Sequence, residues 1–185
     1  MSRHPNLQDR HSSALVVVDI QERIAAVMQD RERVIDRTSL LIRGFQALDL
    51  PIYYTEQYPK GLGPTEPAIR ELLGDLQPYE KLTFSVCGDR NLVHDIGERK
   101  VRQVVVAGIE THVCVFQSAM DFTHFGFQTS VVADAVTSRK SIDHETALAR
   151  LRQHGVTITT AEMVLFELLY TAGTEEFKAI SKLVK

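Results

Sequence analysis

Apolar and polar positions along this chain alternate between short unbroken apolar runs and longer stretches with helical spacing. The runs "SALVVVD" (13–19), "PIYYT" (51–55), "QVVVAG" (103–108), "QTSVVAD" (128–134) and "VTITT" (156–160) predict strands. "EKLTFSV" (80–86), the most polar, predicts one more. Between them, Val34, Leu41, Ile42, Phe45 and Leu48 recur at helical intervals and predict a helix over 30–48. Further helices are expected over 66–73, 113–125 and 143–154, the last with Ser141 or Asp143 as its N-cap. The segments "AEMVLFELLY" and "EEFKAISKLVK" close the chain with two more apolar-periodic stretches, and the Gly- and Pro-rich "QYPKGLGPTEPAI" reads as loop.

Unbroken apolar strands alternating with helices imply βαβ units, whose parallel sheet is covered on both faces. The expected fold is therefore α/β: one domain over 1–185, a three-layer α/β/α sandwich around a largely parallel, Rossmann-like sheet of six strands. Residues 1–12, "MSRHPNLQDRHS", are expected to form a flexible N-terminal tail.

Composition narrows the function classes. A hydrophobic content of 44% and a charged content of 24% are those of a soluble globular chain. The net charge of −3 and pI near 6.2 leave no electrostatic footprint for nucleic acid or an anionic membrane. No segment approaches the roughly 18 consecutive apolar residues of a membrane span, and the polar N-terminus lacks the apolar region of a secretory signal. Two cysteines, Cys87 and Cys114, are too few for a disulfide framework and point to reduced thiols in the cytoplasm.

In open parallel sheets ligands bind beyond the carboxyl ends of the strands. Three reactive side chains fall there: Asp19 after the first strand, Lys81 at the third, and Cys114 after the fourth. Each also has a plain structural reading. Asp19 is a potential helix N-cap, Lys81 alone is a surface charge, and a free cysteine often serves as a small buried hydrophobe. Cys114 is expected in the first turn of a helix, where unpaired N–H groups and the helix dipole favour a thiolate. Cys87, in "SVCGD", has no helix start after it and reads as filling.

"VVVDIQE", "EKLTFS" and "VAGIETHVCVFQSAMDF" resemble, in order, the three signature segments of the isochorismatase-like hydrolase superfamily, which includes nicotinamidases and other cysteine amidases. The likeness runs from about Ala14 to Leu169, and "YPKGLG" with "GIETHVCV" resembles the isochorismatase domain-containing branch. The resemblance implies a catalytic triad of Asp19, Lys81 and Cys114. It also implies a cis peptide between Ile109 and Glu110, and an oxyanion hole from the N–H groups of Glu110 and Cys114. It further implies homo-oligomers.

Nicotinamidases carry metal-binding histidines after the second strand. Here that loop has Glu56 but no histidine, since none occurs between His11 and His94. True isochorismatases do not use the cysteine. The expected activity is thus metal-independent hydrolysis of a small amide through a cysteine thioester, with no cofactor. Gln21, Tyr58, Phe84 and His112 are candidate substrate contacts, and Gln21 is expected to orient Asp19 by a hydrogen bond. The competing reading is a weakly active or vestigial member that serves as an oligomeric binding or scaffold protein.

Overall fold

A computed structural model describes residues 3–185. The elements run β1 (Ser13–Val18), α1 (Glu22–Ala25), α2 (Arg31–Ala47), β2 (Ile52–Gln57), α3 (Pro59–Leu62), α4 (Pro67–Leu73) and β3 (Tyr79–Lys81). There follow α5 (Arg90–Glu98), β4 (Gln103–Ile109), α6 (Phe116–His124), β5 (Gln128–Thr137), α7 (Ser141–Gln153), β6 (Thr157–Thr159), α8 (Ala161–Leu169) and α9 (Glu175–Leu183). A 3-10 turn, Val86–Gly88, precedes α5, and a π-helical turn, Thr111–Val115, runs directly into α6.

All six strands pair in parallel in the order β3-β2-β1-β4-β5-β6. The central strands are buried on both faces, which is why their sequences are unbroken apolar runs. Leu15 and Val17 of β1, with Val105 and Ala107 of β4, pack on one side against residues of α2 and α8 such as Phe45 and Leu165. Val16 and Val18, with Val104 and Val106, pack on the other against Leu92, Phe122 and Leu151 of α5, α6 and α7. Two cores of this kind, one per face, give the three layers of a single-domain α/β fold.

Strand order reverses between β1 and β4, and there the two backbones approach closely. Gly108 has φ +126°, and a Cβ on it would lie 2.0 Å from the Val18 carbonyl oxygen. Only glycine fits. The strand ends on either side of this contact carry the next residues of interest, Asp19 and Glu110.

Three expectations are corrected. The N-terminal segment, as far as residues 3–12 are described, is docked rather than a free tail. Buried Gln8 donates from Nε2 to Ser130 Oγ at 2.8 Å, and Gln103 donates to the Leu7 carbonyl at 3.0 Å and accepts from the Asp9 N–H at 2.6 Å. Arg3 reaches the Glu167 carbonyl at 2.8 Å. Residues 1–2 lie outside the described residues.

The third strand stops at Lys81 instead of running to residue 86. Beyond it Thr83 Oγ1 donates to the Ser85 carbonyl and Ser85 Oγ accepts from the Cys87 N–H, so hydroxyls capture backbone groups that a strand would need. Finally, α7 begins behind Lys140, with no side-chain cap from Ser141 or Asp143.

Candidate active site

Asp19 is the first residue past β1, and its backbone turns there with φ +50°. The short polar side chain of aspartate tolerates this region better than most. Its carboxylate is buried and doubly held: Oδ2 accepts from Lys81 Nζ at 2.6 Å and Oδ1 from Thr55 Oγ1 at 2.7 Å. Lys81, the last residue of β3, is equally enclosed. Its ammonium also donates to Gln57 Oε1 at 2.8 Å and to the carbonyls of Phe84 and Thr83 at 3.1 and 3.3 Å. The irregular chain after β3 thus curls its carbonyls back onto the cation.

Cys114 sits within the π-helical turn, not at the N-terminus of a regular helix. Ser118 Oγ donates to the Cys114 carbonyl at 2.6 Å and accepts from the Val86 N–H at 3.0 Å, tying the cysteine turn to the loop that surrounds Lys81. Asp19 and Lys81, bonded to each other, both act on the Cys114 thiol, so side chains at or beyond the ends of three strands meet where strand order reverses. Asp19, Lys81 and Cys114 are 1%, 5% and 7% exposed.

The thiol of Cys114 is pushed up to about 12, first by burial and then by the Asp19 carboxylate, while Lys81 pulls the other way. Burial and Asp19 thus favour the neutral thiol at rest, against the pull toward thiolate expected of a helix start. Cys87 is likewise pushed up to about 12 by burial.

The Ile109–Glu110 peptide is cis. The Glu110 side chain is tied to Arg139: its Oε1 accepts from the Arg139 N–H at 3.0 Å and from Arg139 Nε at 3.1 Å. His112 Nδ1 pairs with Ser138 Oγ at 2.9 Å, and Thr111 Oγ1 with His144 Nδ1 at 2.9 Å, so the turn is pinned on two sides.

The other candidate contacts scatter. Gln21 is buried, but its side chain serves the main chain of residues 57 and 63: Oε1 accepts from the Gln57 N–H at 2.8 Å, and Nε2 donates to the Gly63 carbonyl at 2.7 Å. The bonds of this side chain are all to main chain, and the hydroxyl that donates to the Asp19 carboxylate is that of Thr55. Tyr58 and Phe84 are 52% and 54% exposed on loops beside Lys81. Glu56 points to the opposite face of β2, where its Oε1 accepts from both the N–H and the hydroxyl of Thr65 at 2.7 Å. Among the described residues no group of three or more His, Cys, Asp or Glu side chains is arranged to hold a metal ion. A surface groove of about 840 Å³ lies elsewhere, lined by Tyr53, Tyr79, Asp95 and Arg99 toward the amino ends of β2 and β3.

Thr55, Gln57 and Ser118 escaped the sequence reading. A signal existed for the first two: in "YYTEQ" they are polar, two residues apart, and close a strand whose preceding residues are buried.

A doubly covered parallel sheet with an acid, an amine and a sulfur at its switch point is an α/β framework carrying reactive groups where such sheets bind ligands. The isochorismatase domain matches residues 13–163, and the chain belongs to that hydrolase family. Isochorismatase domain-containing protein 2 of Bos taurus is 38% identical over 174 residues, 94% of this chain and 83% of its own. The MAR1 ribonuclease structure from Caenorhabditis elegans superposes with a TM-score of 0.90 at 35% identity, covering 96% of this chain and 92% of its own. The YcaC gene product of Escherichia coli, described as an octameric hydrolase of unknown specificity, shares the fold with a TM-score of 0.90 at 22% identity, covering 98% and 91%.

Proposed function

We propose that this protein is a cysteine hydrolase that cleaves a small amide-type C–N bond through a thioester on Cys114, with Asp19 and Lys81 completing a triad. The observation that carries the reading is the buried ion pair, Lys81 Nζ to Asp19 Oδ2 at 2.6 Å, acting on the thiol of Cys114 from both signs of charge.

Because the resting thiol is neutral, the nucleophile forms during attack. The Cys114 proton passes to the Asp19 carboxylate as sulfur bonds to the substrate carbonyl carbon. The N–H groups of Glu110 and Cys114 take the developing oxyanion, and Lys81 balances the charge left in the crevice. Collapse of the adduct breaks the C–N bond, with the proton on Asp19 going to the leaving amine. A water then gives its proton to Asp19 and attacks the thioester, and the thiolate leaves and regains that proton. No step uses a metal or cofactor.

We assign contact with the rest of a small substrate to Tyr58 and Phe84, exposed beside Lys81, and to His112 on the cysteine turn. We read the chain as one domain working in the cytoplasm. A homo-oligomer is in keeping with the octamer named for the Escherichia coli relative, and light scattering checks it.

The name of the nematode relative raises a second reading, cleavage of RNA. The net charge of −3 speaks against a phosphate-tracking surface. Assay of wild type and Cys114→Ala on a panel of small carboxamides, with an RNA oligonucleotide alongside, separates the two. Amide turnover lost on Cys114→Ala supports the proposal, and RNA cleavage without amide turnover replaces it.

A further inference from the structure

Resting on the proposed triad, we propose that Thr55 and Gln57 of β2 are positioning residues, one for each member of the ion pair. Residues two apart on a strand share a face, and these two address opposite charges. The Thr55 hydroxyl spends its single proton on Asp19 Oδ1, while the Gln57 amide oxygen accepts from Lys81 Nζ. Gln57 is itself fixed, since its Nε2 donates to the Leu82 carbonyl at 2.9 Å and its N–H to Gln21 Oε1 at 2.8 Å.

This arrangement has a chemical consequence. An ammonium has three protons to give, and Lys81 faces four acceptors: Asp19, Gln57, Phe84 and Thr83. Without the Thr55 hydroxyl, Asp19 Oδ1 loses its 2.7 Å bond, and the carboxylate is free to rotate toward the cation. Without Gln57, the ammonium is free to settle deeper on the carboxylate. Either change takes the proton acceptor away from sulfur while leaving substrate contacts in place. Small misplacements of this kind cost about tenfold to a hundredfold in rate.

Thr55→Val keeps the shape and removes the hydroxyl, whereas Thr55→Ser keeps the hydroxyl and removes a methyl. The test measures kcat and KM on whichever of acetamide, propionamide and benzamide wild type turns over fastest. It is accompanied by a crystal structure of Thr55→Val. Positioning predicts kcat about tenfold lower or worse in Thr55→Val with KM within about twofold, and kcat near wild type in Thr55→Ser. It also predicts an Asp19 carboxylate rotated from its wild-type setting on an unmoved strand. Gln57→Leu, at a half-buried position, should lower kcat in the same way.

A Thr55→Ser defect as large as that of Thr55→Val would mean that packing matters and not the hydroxyl, and would overturn the proposal. So would an unrotated carboxylate. A rotated carboxylate in a protein whose wild type cleaves none of the amides would uphold Thr55 as the residue that sets Asp19, while ending the amidase reading.

Discussion

Lys81 Nζ meets Asp19 Oδ2 at 2.6 Å with both side chains 1% exposed, so each ion depends on the other for its burial. Removing one partner strands a charge in a dry crevice, at a cost of about 3–5 kcal/mol. Asp19→Asn and Lys81→Met should each destabilise by that order in urea unfolding. The double variant should lose less than the sum of the two, because it leaves no orphan charge. Additive losses would show that the two ions do not support each other.

Asp19 raises the pKa of the Cys114 thiol and Lys81 lowers it. Labelling by iodoacetamide needs only thiolate, whereas amide cleavage needs a proton carrier as well. Asp19→Asn should therefore label faster at Cys114 near neutral pH while losing amide turnover. Lys81→Met should label more slowly and also lose turnover. Peptide mapping by mass spectrometry reads both rates, and parallel changes in labelling and turnover for Asp19→Asn would contradict the assigned roles.

High pH should unfold this protein earlier than its core alone suggests. Cys87 and Cys114 ionise near the usual 9.0 when unfolded but hold their protons to about 12 in the fold. Tyr53, Tyr54 and Tyr79 are also pushed upward, first by burial. In that window the folded state binds more protons, so its stability is complete below pH 9 and falls as pH rises toward 12. Denaturation curves across this range should show the decline, and Cys87→Ala should make it shallower.

Gly108→Ala should destabilise by at least about 3 kcal/mol, since the added carbon meets the Val18 backbone and not a movable side chain. Thermal melts measure it. Gly44→Ala is a useful contrast, because its nearest obstacle is the Leu165 side chain, whose far end can shift.

The parts of this fold that were legible in the sequence are those set by burial on both faces. β1 and β4 read as unbroken apolar runs because Leu15 to Val18 and Val104 to Ala107 meet helices on either side. β3 is shorter than its sequence predicts because its three residues lie at the sheet edge, and "TFSV" mimics a strand until the hydroxyls of Thr83 and Ser85 divert it. The π-helical turn at Thr111–Val115 has the same apolar spacing as a helix start, so nothing in "THVCV" distinguishes it. Asp19, Lys81 and Cys114 stood out as reactive types at strand ends, whereas Thr55 did not. The polar alternation in "YYTEQ" marks Thr55 as facing one side of a strand, but its partner emerges only when pairing of β2 with β1, Val18 against Thr55, sets it beside Asp19.

The most direct test is to trap the acyl-enzyme. Wild type is incubated with an amide it cleaves, quenched in acid and mapped by peptide mass spectrometry. The account predicts the acyl group on Cys114, none on Cys87, and no turnover by Cys114→Ala. Turnover that persists in Cys114→Ala, or an acyl group carried elsewhere, would contradict it.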